Sequence, residues 1–295
     1  MNDTEKLEKT IQNMITDEAF RAMGFSYGSP VRKVFGPLLY PAAHRFARLA
    51  AEVDNDLEQQ GIAETARKYL PEYVDGVIIN GAENIPLKGA AIIASNHPGT
   101  LDAPLIFSAL PRDDLKVIIS GVPVVRALTG ASKYLIYTPY DIQQRTAVVR
   151  GAIRHLNDGG LLMIFPTGKI DPDPAFLPGS SQALESWSKS LEIFLRRAPG
   201  TKVVPTIVSG VLDPATLRNP LTKLRREFWM QQRIAVYLQV AQMLMFHKKL
   251  RLTPRVTFGK VKAIDNSDQS GDSGELMELI SASAKEVLKN HNTAN

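Results

Sequence analysis

Residues 90–102 read AAIIASNHPGTLD. The first six are apolar or small without alternation, the pattern of a strand covered on both faces, as in a parallel sheet. The next seven set an amide, an imidazole and a carboxylate around a Pro-Gly break. In open α/β sheets ligands bind beyond the carboxyl ends of the strands. The stretch therefore predicts both a fold class and the place where its chemistry sits.

Working outward, similar short runs recur: VDGVII (74–79), LKVIIS (115–120), YLIYT (134–138), LLMIF (161–165), VVPTIV (203–208) and RVTFG (255–259). Helix-like stretches alternate with them, such as QQRTAVVRGAIRHLN (143–157), closed by Asp158-Gly159-Gly160 as a helix C-cap. This alternation predicts a three-layer α/β domain over residues 73–295, with a mostly parallel central sheet of about seven strands. Residues 1–72 read as an N-terminal helical region. Within it, Pro37 and Pro41 are expected to kink or shorten any helix over residues 29–50. DNSDQSGDSG (265–274) reads as a flexible loop.

The composition, 44% hydrophobic and 22% charged over 295 residues, is that of a globular protein with one large domain or two modest ones. There is no cysteine, which excludes disulfides, thiolate metal sites and a thiol nucleophile. The first twenty residues are charged and lack an apolar core, unlike a secretory signal. No run of 18 apolar residues predicts a spanning helix. The expectation is a cytoplasmic protein, soluble or peripheral to a membrane.

The net charge of +5 is unevenly spread. Residues 217–262 hold eleven Lys or Arg and one acid, Glu227, giving +10; residues 263–295 hold six acids and two lysines, giving −4. Such asymmetry points to an acidic partner: a phosphate-bearing substrate, anionic lipid or nucleic acid. Within the basic segment, FWMQQRIAVYLQVAQMLMF (228–246) has a wide apolar face and a narrow polar stripe at Gln232, Gln239 and Gln242. A basic-flanked helix of this kind covers a sheet, lies in a membrane interface or forms an acyl-chain groove.

His97 and Asp102, five residues apart on a regular helix, would point about 140° away from each other. Pro98-Gly99 changes this: the residue before proline leaves the helical region, and glycine permits a tight turn. His97 then sits in the loop and Asp102 in the first turn of a helix beginning near Thr100, from which its carboxylate reaches back to the ring. Without Ser or Cys beside it, this pair suits general-base catalysis. Asp102 fixes the tautomer and stabilises the imidazolium, and His97 takes a proton from an incoming hydroxyl. G-x-S-x-G, H-E-x-x-H, P-loop and G-x-G-x-x-G patterns are absent, and the five histidines are scattered singly, so no metal site is expected.

NHPGTLD (96–102) resembles the N-H-x-x-x-x-D signature of the glycerolipid acyltransferases, which include glycerol-3-phosphate and lysophosphatidate acyltransferases. IFPTG (164–168) is similar to the F-P-E-G block of that family, VVPTIVSG (203–210) to its proline-containing strand, and VTFGKV (256–261) to a late strand. The resemblance covers roughly residues 74–264. LLMIFPTGKIDPDP (161–174) is intermediate between F-P-E-G and the P-S-G-G-R-D-R-P of a soluble branch with an N-terminal helical domain.

The resemblance implies an O-acyltransferase moving an acyl group from acyl-CoA or acyl-carrier protein to a lipid-precursor hydroxyl. Acyl donor, lipid acceptor and an anionic membrane surface are then the expected partners, with no bound cofactor and no nucleic acid. Backbone N–H groups around Gly99 and Thr100 are the expected oxyanion donors. Two positions depart from the family: Thr167 stands where it has Glu, and YLIYTPYD (134–141) lacks its phosphate-binding arginine. Lys133, Arg145 and Lys169, with Thr167 and Gly168 of the FPTG turn, are therefore the candidates for acceptor binding. The same departures allow an alternative, a catalytically inactive lipid-binding or membrane-scaffold protein on this fold. If both turns leave strand ends on one side of the sheet, FPTG stands beside the NH/D loop.

Overall fold

A computed structural model describes residues 8–14, 16–17, 30–120, 127–138, 145–187, 189–224, 226–246, 248–263 and 273–293. Helix α1 (Pro30–Tyr73) leads to β1 (Ile78–Asn80) and β2 (Ala91–Ser95). Then follow α2 (Asp102–Ser108), β3 (Leu115–Ser120), α3 (Thr129–Ser132), β4 (Leu135–Thr138), α4 (Arg145–Asn157) and β5 (Leu161–Ile164). The chain continues through α5 (Ser180–Glu185), α6 (Lys189–Arg197), β6 (Lys202–Ser209), α7 (Pro214–Leu217) and α8 (Phe228–Phe246). It closes with β7 (Arg255–Phe258), β8 (Lys262–Ala263) and α9 (Ser273–Thr293).

The strands form one sheet in the order β1-β7-β6-β2-β5-β3-β4, with β8 beside the start of β6. β7 and β8 run antiparallel to β6, and the other pairings are parallel. The expected strands are all present, but β1 begins four residues late. α1 runs to Tyr73, and Val74 makes an isolated bridge to Leu250 instead of opening the strand. The two-residue β8 carries no pattern of its own and was not anticipated.

Alternation along β2 shows why its run is apolar throughout. Ala91 and Ile93 join a core with α1, α2 and α8, whereas Ile92 and Ala94 join a second core with α4, α6 and α9. Sheet and two flanking helical layers make the three-layer α/β fold.

Pro37 and Pro41 do not break α1: both lie on its exposed side, and the backbone stays helical around them. The kink falls at Gly61, whose φ of 81° glycine adopts without strain. There Asp113 accepts the Ile62 N–H at 3.1 Å and holds the Tyr134 hydroxyl at 2.8 Å, pinning the bend to the sheet. At Gly130 an added Cβ would lie 2.2 Å from the Asp54 carbonyl, so α3 meets α1 backbone to backbone. Residues 143–144 of the expected 143–157 helix, and 265–272 of the expected loop, lie outside the described residues; Ser273 and Gly274 begin α9.

Candidate active site

β2, β5 and β6 are adjacent and parallel, so the loops leaving their carboxyl ends converge. Asn96, just beyond β2, extends the pairing with β6 through its side chain. Its amide donates to the Val208 carbonyl at 2.9 Å and accepts the Val208 N–H at 2.8 Å. Anchored this way, the chain turns sharply at Pro98-Gly99 and enters α2 at Asp102, two residues later than expected.

His97 Nδ1 lies 2.7 Å from Asp102 Oδ2. The same oxygen accepts the Gly99 N–H at 3.1 Å, and Oδ1 accepts the Ala103 N–H at 2.6 Å. Three bonds thus fix a side chain that is 1% exposed against 31% for the imidazole. An ionised carboxylate only accepts, so Nδ1 carries the hydrogen and Nε2 keeps its lone pair. The ring stacks on Phe165, centroid to centroid 4.3 Å. Burial opposes a charge on the imidazole. The adjoining Asp102, through charge and hydrogen bond, and Asp171 outweigh it, raising the His97 pKa above 6.5.

The Gly99 N–H, expected among the oxyanion donors, donates to Asp102 Oδ2 at 3.1 Å in this structure. Thr100 is exposed at the turn.

The FPTG turn stands beside this loop, as expected from the shared sheet edge. Asp171 Oδ2 accepts the His97 N–H at 2.9 Å and lies 3.1 Å from the Thr167 hydroxyl, while the Asp171 N–H donates to the His97 carbonyl at 2.8 Å. Asp171 is 1% exposed, and its Oδ1 has no hydrogen-bond partner. Burial pushes this carboxyl above its ordinary value, against the His97 N–H and Thr167 that favour the ionised form. Gly168 and Lys169 form the exposed tip of the turn.

Lys133 is placed elsewhere. It precedes β4, and the register sets Leu135 level with Val117, Met163 and Ile93, so Lys133 is level with the start of β2. His97 lies six residues further along, about 20 Å at about 3.3 Å per residue. Lys133 therefore belongs to the opposite end of the sheet. Arg145 opens α4 on the carboxyl side, but its side chain lies outside the described residues.

Two buried side chains absent from the expected set complete the loops. Asp173 accepts the N–H groups of Ala175, Gly210, Val211 and Leu212 at 2.8–3.1 Å, joining the loop after β5 to that after β6. Burial raises its carboxyl pKa despite those bonds. Gln232 of α8 donates its amide to the carbonyls of Pro98 (3.1 Å) and Asp171 (2.6 Å). Asp171 and Asp173 lie within LLMIFPTGKIDPDP (161–174), a stretch that marks the region without singling out either carboxylate. Gln232 stands in the polar stripe of residues 228–246, whose orientation the pattern leaves open.

Beside the turn is a cavity of about 460 Å³, almost wholly apolar. Thr100, Leu101, Phe107, Tyr134 and Met243 are among its walls, which α1, α2, β4 and α8 supply. His97 is not in its lining; Thr100 and Leu101 connect the cavity and the His97 turn. Among the described residues no group of three His, Cys, Asp or Glu could hold a metal ion.

Residues 76–209 match a family model described as Acyltransferase. No match was found among curated proteins. Among solved structures, the chain is similar to the 1-acyl-sn-glycerophosphate (LPA) acyltransferase PlsC of Thermotoga maritima, at 16% identity and a TM-score of 0.45. That match covers 97% of this chain and 100% of the other.

Proposed function

We propose, with residues 76–209 belonging to the acyltransferase family as the premise, that this chain is an O-acyltransferase acting on glycerolipid precursors. It moves a fatty acyl group from acyl-CoA or acyl-carrier protein to a hydroxyl of a glycerol-phosphate or lysophospholipid. The observation that carries this reading is the buried Asp102 carboxylate 2.7 Å from His97 Nδ1, which leaves Nε2 as a base.

The acceptor hydroxyl gives its proton to Nε2 as its oxygen attacks the thioester carbonyl. Asp102 stabilises the imidazolium that forms. When the tetrahedral intermediate collapses, the C–S bond breaks and the imidazolium returns the proton to the departing thiolate. The chemistry balances with no resident cofactor. General-base assistance of this kind contributes about 10²–10⁴-fold.

The apolar cavity beside Thr100 suits the acyl chain, its volume lying within the ordinary range for ligand sites. Lys169, exposed at the FPTG turn, is the described cation best placed for an acceptor phosphate, with Thr167 and Gly168 shaping that turn and Arg145 as a second candidate. We further propose a cytoplasmic protein held peripherally on an anionic membrane face, since the lipid product partitions there. Among the described residues no helix is long and apolar enough to cross a membrane.

The test is release of free CoA from acyl-CoA with and without glycerol 3-phosphate or lysophosphatidate, with products identified by lipid mass spectrometry. Acceptor-dependent release supports the reading. Lipid binding without turnover on any acceptor or either carrier would favour a non-catalytic scaffold.

A further inference from the structure

Helix α8 is apolar around most of its circumference, so pattern alone does not say which side turns inward. The structure turns Gln232 and Gln239 in. Gln232 is 2% exposed and Gln239 is equally buried, accepting the Asp213 N–H and donating to the Val211 carbonyl, both at 2.8 Å. The large rings are left outside. Trp229 is 57% and Phe246 71% exposed, and Phe228 and Tyr237 are about half exposed.

A soluble helix normally has the reverse arrangement. Exposed aromatic residues beside basic ones suit the boundary between acyl chains and anionic headgroups. The flanking charges fit that surface: Lys223, Arg226 and Arg233 are exposed, with Arg233 5.9 Å from the Tyr237 ring. Lys248 and Lys249 are less available, lying 3.4 Å from Asp213 and 3.7 Å from Asp75.

The inner side of the same helix reaches the site. One amide nitrogen of Gln232 bridges the Pro98 carbonyl, in the turn carrying His97, and the carbonyl of Asp171, which holds the His97 backbone. A buried amide donor satisfied by two loop carbonyls ties their positions to that of the helix.

We infer that α8 docks on an anionic phospholipid surface through its outward aromatic residues, and that Gln232 is the positioning residue relaying that contact to the His97 turn. This rests on the reading of the chain as an enzyme of lipid surfaces and adds which surface docks and how the site senses it. With α8 anchored, the Pro98 and Asp171 carbonyls are held together; with α8 free, they are held only by the loops.

The protein carries its own reporter. Its two tryptophans are Trp229 and Trp187, the latter buried in the core on the other face of the sheet. The full chain is mixed with phosphatidylcholine vesicles, with or without phosphatidylglycerol, whose acyl chains carry bromine. Anionic vesicles should quench Trp229 and shift its emission to the blue, and added salt should reverse both. The paired substitutions Phe228→Ser and Tyr237→Ser, at exposed sites, should abolish the response. Hydrogen exchange in segments 96–104 and 169–174 should slow on the same vesicles in the wild type. That slowing should be lost in Gln232→Leu and in Gln232→Glu, a near-isostere whose carboxylate cannot donate.

Absence of quenching overturns the docking surface. Quenching accompanied by unchanged slowing in either folded Gln232 variant overturns the relay. Neither readout needs turnover, so a chain that docks without transferring acyl groups is distinguished from one that transfers without docking.

Discussion

His97 and Asp171 hold each other by two reciprocal bonds, His97 N–H to the Asp171 carboxylate at 2.9 Å and Asp171 N–H to the His97 carbonyl at 2.8 Å. The loops after β2 and β5 are thereby locked, and a second carboxylate stands behind the imidazole. Asp171 favours the charged ring, as Asp102 does, and a base acts only when neutral. The acid limb of kcat/KM should therefore lie above pH 6.5. Asp171→Asn keeps an acceptor for the His97 N–H but removes the charge, so the limb should move to lower pH. A loss of rate equal at every pH would assign Asp171 a purely structural part.

Asp102→Asn should cost at least about 10²-fold in acyl transfer with little change in melting temperature. An asparagine can donate to Nδ1, which puts the hydrogen on Nε2 and leaves no base facing the acceptor. Far-ultraviolet circular dichroism beside steady-state rates checks this. Near wild-type turnover in the folded variant would contradict the assigned tautomer.

His291, near the end of α9, is buried between the Ser209 hydroxyl (2.7 Å from Nε2) and the Thr257 hydroxyl (2.8 Å from Nδ1). Burial, with Arg255 nearby, lowers its pKa to about 4 from 6.5. The folded state thus resists a proton that the unfolded chain accepts. This contribution to stability is intact above pH 6.5, is lost as pH falls towards 4, and amounts to on the order of 3 kcal/mol. Urea unfolding at pH 8 and pH 5 should show the drop, and His291→Asn should flatten it. An equal slope in the variant would place the pH dependence elsewhere.

The apolar cavity should set chain length. Ala131 lines it, and Ala131→Phe fills part of the space. Rates with long-chain thioesters should fall several-fold relative to short-chain ones, by the 10–200-fold at most that a methylene-scale misfit allows. Competition between acyl-CoA species measures it. An unchanged length profile would mean that the acyl chain lies elsewhere.

The sheet was legible because its inner strands are apolar on both faces, a pattern that solvent-exposed segments do not share. β1 was displaced because α1 continues through Tyr73, where a helix end and a strand start look alike in a short apolar run. His97 and Asp102 were readable because a Pro-Gly break has few backbone solutions. Gln232 was not readable, since an almost wholly apolar helix gives no sign of which side faces the protein. Asp171 was hidden for a different reason: its effect comes through a backbone contact across 74 residues. Lys133 was misplaced because charge and proximity to a motif do not say which end of a strand a residue occupies.

The central claim is that His97 is the base for acyl transfer, and His97→Ala in a single-turnover assay tests it most directly. With saturating acyl-CoA and an acceptor identified by the screen, product formation should fall by at least about 10²-fold. Thermal unfolding should stay close to wild type, the ring being only partly buried. A folded His97→Ala protein that forms product at the wild-type rate would contradict the account.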